Sequence, residues 1–253
     1  SAEQIVDFEK WVAMGAPDPR TIGDATASEK KLNLEAARQF WAFQPVSKPP
    51  VPKLKRADWA YTDIDRFVLT ALEGKGIGPG QDANNLILLR RLYFDLIGLP
   101  PTPDQMSAFE SGATKDRQGA IEAVVDELLA SPHFGERWGR HWLDVVRFSE
   151  STGGGRTALM NESWRYRDYV VNAFNTDKPY TDFIREQIAG DLIKGGSIEQ
   201  QRERLTATAF LLLGPTNYEL QDKTVLEMDI VDEQMDTMGK AFMALTIGCA
   251  RCH

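Results

Sequence analysis

Cys249, Ala250, Arg251, Cys252 and His253 are the stretch whose residue types and spacing most directly specify chemistry. Two thiols three positions apart, followed at once by an imidazole, form the attachment signature of c-type haem. Each thiol can add to a vinyl group of the macrocycle, and the adjoining imidazole reaches the iron. The chain has no other cysteine, and His253 is one of three histidines. Two other dithiol chemistries fit less well. A structural zinc site needs a fourth ligand and more often a second Cys/His pair. A redox dithiol follows a strand and opens a helix, whereas here a helical pattern leads into the motif.

Positioning the motif falls to the residues before it. Val225, Met228, Val231, Met235, Met238, Phe242 and Leu245 recur at spacings of three and four, the pattern of one buried helical face. The same alternation, continued, reaches Cys249 and Cys252. The expectation is one helix running into the motif, with the thiols prolonging its core-facing stripe and a bound haem half covered. Asp229, Asp232, Glu233 and Asp236 make an acidic ridge opposite that stripe. A helix lacks the loop carbonyls that calcium prefers, so the ridge is expected to pair with the arginines of residues 135–148.

Electron transfer through a low-spin iron needs a second axial ligand, whereas catalysis needs an open position. Met235, Met238 and Met243 are set aside, because ten residues along a straight helix span about 15 Å. His141 is the candidate distal ligand, since it adjoins the aromatic face of Phe134, Trp138, Trp142 and Phe148. That ligation would bring residues 135–148 across the C-terminal helix near 245–252. The alternative is a half-buried histidine bonded to a neighbour such as Asp144. His133, at a helix boundary, is the weaker choice. Arg137, Arg140 and Arg251 are candidate partners for haem propionates, because guanidinium forks match carboxylates; a solvated or ion-paired face is the plainer alternative.

The elements behind these residues read as all-α, an irregular multi-helix bundle with an extended proline-rich N-terminal connector. No segment sustains period-two alternation. Residues 1–14 carry Ile5, Phe8, Trp11 and Val12 on one helical face, and Gly15, Ala16 and Pro17 stop the helix. Pro45, Pro49, Pro50 and Pro52 favour an extended path, along which Phe40, Trp41 and Phe43 are expected to lie on the body of the domain. Thr62 with Asp65, Thr102 with Gln105, and Ser197 with Gln200 are capping boxes that start helices. Ile64, Phe67, Val68, Ala71 and Leu72 then form the expected buried face of the first. Gly153, Gly154 and Gly155 read as a mobile connector and lack the spacing of a phosphate cradle. The division is residues 1–20, a closing helix; 21–60, a connector; and 61–253, the helical domain ending in the motif.

Composition narrows the function classes. The net charge of −8 and pI near 5.0 argue against a nucleic-acid surface. No apolar run is long enough to span a bilayer.

Four longer stretches carry a resemblance. They are residues 89–102 (LRRLYFDLIGLPPT), 134–148 (FGERWGRHWLDVVRF), 166–192 (YRDYVVNAFNTDKPYTDFIREQIAGDL) and 229–253 (DIVDEQMDTMGKAFMALTIGCARCH). Together they resemble a cytochrome-c-like domain of unknown function found in large planctomycete-type secreted proteins. The resemblance implies haem c on Cys249 and Cys252, with His253 as axial ligand. It also implies an extracytoplasmic location, with a targeting segment upstream, and further domains of a parent chain as partners. Residues 1–20 resemble the closing helix of a preceding cytochrome c module. Family members generally continue past the histidine with a polar stretch holding a second histidine, which could supply the distal ligand instead of His141.

The functional expectation is a haem-bearing electron-transfer module of a larger extracytoplasmic protein. One alternative is a domain of a haem-dependent or carbohydrate-active enzyme. The other is a structural or binding module whose cysteines are empty or disulfide-linked. Production in the cytoplasm would leave the thiols unmodified.

Overall fold

Side chains that satisfy orphan helix N–H groups punctuate the sequence, and helices start where they stand. In the computed structural model, which describes residues 1–17, 33–54, 59–155 and 157–251, Thr62, Thr102 and Ser197 each close the expected capping box. The fold among the described residues is all-α, with eleven α-helices and no strand. Two isolated bridges, Ser151 with Leu159 and Gly153 with Thr216, are the β-type pairings it holds. No helix of the described residues is long and apolar enough to cross a membrane.

The chain divides into two compact units, Ser1–Gly80 and Gln81–His253. The first contains α1 (Ala2–Ala13), α2 (Leu34–Arg38) and α3 (Asp63–Gly74). Ser1 caps α1, whose Ile5, Phe8 and Val12 are exposed. Phe40, Trp41 and Phe43 are exposed too, contrary to expectation. They shelter one another instead, with ring centroids 5.8 Å apart for Phe40–Trp41 and 6.1 Å for Phe40–Phe43. The buried face of α3 is also displaced from the expected one: Leu69 is buried, whereas Ile64, Phe67 and Val68 are exposed.

The second unit has two cores. In the first, α4 (Asn85–Leu96), α5 (Pro103–Lys115) and α6 (Arg117–Leu129) close around Leu89, Tyr93, Phe109 and Leu128. The second is built by α7 (Pro132–Val145), α8 (Trp164–Asn175), α9 (Tyr180–Ala189), α10 (Ile198–Ala207) and α11 (Lys223–Met243). Its centre holds Tyr166, Val170, Phe183 and Phe210. The indole of Trp142 lies 4.9 Å from Phe183 and 5.8 Å from Phe242, centroid to centroid, and so links α7 to α9 and α11.

Helix α7 meets α8 through glycine. A Cβ on Gly135 would lie 2.3 Å from the Val171 carbonyl oxygen, so only glycine permits this approach. Asn175 locks the pair, since its Oδ1 accepts from the Gly135 N–H at 2.7 Å and its Nδ2 donates to the Pro132 carbonyl at 3.0 Å. Trp138, on the aromatic face of this helix, and Val145 are exposed. The reason is that the two glycines at 135 and 139, together with Trp142 and Val146, take the inward face.

Residues 151–155 and 157–159, expected as a connector, carry backbone pairing. Thr152 is buried and exchanges backbone bonds with Ala158 and Thr216, and Gly153 bridges to Thr216. Ser151 bridges to Leu159, and residues 152–155 lie against residues 215–217.

Candidate functional site

Helix α11 begins at Asp222, whose carboxylate accepts from the Thr224 and Val225 N–H groups. Its inward face is Leu226, Thr237, Met238, Ala241 and Phe242. Val225, Met228, Val231 and Met235, expected to be buried, stand out of the core, with Met228 52% and Met235 49% exposed. Met238 and Phe242, further along the same expected stripe, do turn inward, held by the contacts of Phe242 with Trp142 and Phe210.

The helix does not continue into the motif. It stops at Met243, and Ala244 takes the left-handed conformation with φ 53°. The Ala244 and Leu245 N–H groups both bond back to the Gly239 carbonyl, the latter at 3.0 Å, which closes the helix end. Gly239 makes the reversal possible, because a Cβ there would meet the Leu245 carbonyl oxygen at 3.0 Å and the Ile247 side chain at 3.2 Å. The 3-10 turn Gly248–Arg251 follows.

Charge holds this turn against the helix. The Gly248 N–H donates to Asp236 Oδ1 at 3.1 Å. Arg251 reaches Asp229 at 2.7 Å with Nη2 and Asp232 at 2.6 Å with Nε. Asp236 is bonded to Lys240, and this, with the N–H groups of Gly248 and Ile247, holds its carboxyl below the usual carboxylate range. The acidic ridge therefore clamps the motif. Of its four carboxylates only Glu233 finds an arginine from the region of α7, Arg147. Burial lowers the Arg147 guanidinium from its ordinary value, and Asp236 partly offsets that.

The candidate residues fall as follows. Cys249 is a free, exposed thiol on the 3-10 turn. Cys252 and His253 lie outside the described residues. Arg251 is engaged by the ridge. Arg137 packs against the turn between α4 and α5, with its Cδ 3.1 Å from where a Cβ on Gly98 would stand. Arg140 is exposed. His141 is also exposed and lies beside Trp138, with ring centroids 5.3 Å apart. His133 bonds through Nδ1 to Glu136 at 2.8 Å. Helix α7 meets α11 at Trp142–Phe242, and Arg147, just past the end of α7, pairs with Glu233. The methionines are set aside on the basis of a straight helix, whereas residues 245–251 double back along α11. Among the described residues no group of three or more His, Cys, Asp or Glu is arranged to hold a metal ion.

A cavity of about 420 Å³ adjoins the clamp, lined by Asp229, Asp232, Glu233, Arg251, Thr216 and Asn217 among others. Sequence reasoning missed both this cavity and the roles of Gly239 and Asp236. The consecutive β-branched pair Thr246–Ile247 followed by Gly248 was the available signal of a break.

The family model described as PSCyt2, protein of unknown function (DUF1549), matches residues 63–253. No curated protein and no solved structure matches the chain. The matched span takes in α3 to α11 and the clamped turn, and the chain belongs to the PSCyt2 family of proteins of unknown function.

Proposed function

We propose that the second unit is a c-type haem-binding, electron-transfer module of a larger extracytoplasmic protein. The observation that carries this reading is the Cys249–His253 signature on a turn whose first thiol is free and exposed. The residues fit the group. A vinyl carbon must reach the sulfur from outside, and Cys249 is open to it. The clamp fixes the turn through the side chain of Arg251 and leaves the Cys249 thiol available. Haem on Cys249 and Cys252, with His253 as axial ligand, would supply one-electron chemistry. Arg251 then acts as a positioning residue, with its guanidinium committed to Asp229 and Asp232. His141, Arg137 and Arg140 keep the roles assigned from sequence as proposals, the first as distal ligand and the others toward propionates.

The test is the visible spectrum of protein made with a haem-attachment system. A six-coordinate, low-spin spectrum in both oxidation states supports electron transfer. A five-coordinate iron that binds peroxide or other small ligands overturns it in favour of catalysis. If His141 is the distal ligand, His141→Ala removes the low-spin spectrum.

The acid-lined cavity favours a second reading, a domain acting on a polyhydroxyl substrate such as a carbohydrate. Against it, Asp229 and Asp232 are tied to Arg251 and Glu233 to Arg147, which leaves these carboxylates occupied with holding the fold.

A further inference from the structure

The folded-back turn lies along α11 between two unlike surfaces. On one side is the cavity whose wall includes Asp229, Asp232 and Glu233. On the other are Met228, Val231 and Met235. At about 100° of turn per residue, Met228 and Met235 stand about 40° and 60° round the helix from Asp232, while Glu233 stands about 100° the other way. The three apolar side chains are each close to half exposed, at 52%, 46% and 49%. A contiguous apolar row left open to water on the helix along which the Cys249 turn lies calls for a cover.

Resting on the haem reading above, we propose that Met228, Val231 and Met235 are the apolar floor on which a haem tethered at Cys249 lies, and that the acid-lined cavity stays free of it. The covalent tether keeps the macrocycle near the turn, and these two surfaces of α11 flank it. A porphyrin body is a broad apolar plane that carries two propionates. Laid in the cavity, it would strip water from three carboxylates and bring its own anions against them. Laid on the other side, it removes exposed methyl and thioether surface from water, and methionine side chains mould to an irregular partner. The propionate edge then points away from the ridge.

Limited chloramine-T oxidation followed by peptide mass spectrometry tests this, comparing the haem-loaded chain with the Cys249→Ser/Cys252→Ser variant. Met14, 69% exposed in the other unit, serves as the control for reagent. Met106, packed in the core of α4 to α6, reports that the variant is folded. The expected result is that haem slows oxidation of Met228 and Met235 by about tenfold, because the thioether must meet the reagent, while Met14 and Met106 are unchanged. Attached haem with Met228 and Met235 as reactive as in the variant overturns this inference alone. A chain that takes up no haem overturns the haem reading and the inference with it.

Discussion

The core around Trp142 and the turn that carries Cys249 are held by opposite means. In the core, aromatic rings meet edge and face, and the buried polar atoms form a chain. Trp142 Nε1 donates to the Tyr166 hydroxyl at 3.0 Å, which donates to Gln187 Oε1 at 2.6 Å. Nearby, the Tyr169 hydroxyl donates to Glu186 at 2.7 Å, and Lys178 closes on the same carboxylate at 2.6 Å. Burial raises the pKa of both tyrosines, so they stay protonated. The turn has no such interior. It is held by three carboxylates, one guanidinium and the backbone N–H groups of Gly248 and Ile247, near solvent. Deep packing therefore sets the overall stability of the fold, while the placement of the motif rests on contacts each worth little in global terms. Its anchoring can change without unfolding the domain.

That contrast breaks most severely on the core side. Phe210→Ala removes a fully buried ring and is expected to cost about 3 to 5 kcal/mol, read as a lower urea midpoint with the slope unchanged. Gly135→Ala forces the two helices of the Gly135–Val171 contact apart and is expected to cost roughly 1 to 3 kcal/mol. If either variant proves neutral, the core account fails.

On the motif side the effects are smaller and local. Ala244→Gly relieves a left-handed residue and is expected to stabilise by up to about 1 kcal/mol, seen as a rise in Tm. A fall would mean that the helix does not end there. Arg251→Ala breaks two partly exposed ion pairs and is expected to lower global stability by no more than about 1 kcal/mol. In hydrogen exchange it should nonetheless speed residues 244–251 selectively, as high salt should in the parent chain. Uniform acceleration would contradict a local clamp.

The smallest expected effect concerns Asp236. Its folded pKa is depressed, so the stabilisation it gives is present above the ordinary carboxylate value of 3.8 and is lost as pH falls through the lower folded value. Exchange at the Gly248 N–H, corrected for intrinsic rate, should rise on acidification below that point. In Asp236→Asn this acid-dependent rise should be absent.

The same contrast explains what the sequence made legible. Helix starts could be read because a cap is a contact three residues long: Thr62, Thr102 and Ser197 each need only a neighbour on the same turn. The inward face of α11 could be read only in part: the expected stripe holds both Met238 and Phe242, which turn inward, and Val225, Met228, Val231 and Met235, which do not. Trp142 and Phe210, distant in sequence, choose between them. The end of α11 was hidden for a different reason. Helices that finish in the left-handed region usually announce it with glycine, and here alanine occupies that position. The chemistry of the motif was visible from five residues, but what holds it was not: the Arg251 clamp spans 19 and 22 positions to Asp232 and Asp229.

Covalent haem on the Cys249–His253 motif is the central claim, and the most direct measurement is haem content after denaturation. The chain is produced with an export signal and the haem-attachment machinery, unfolded in guanidinium, freed of non-covalent ligands, and assayed as the pyridine haemochrome. One haem per chain, lost in Cys249→Ser/Cys252→Ser, is the predicted result. A folded chain that emerges free of haem, with both thiols intact or joined as a disulfide, would contradict it.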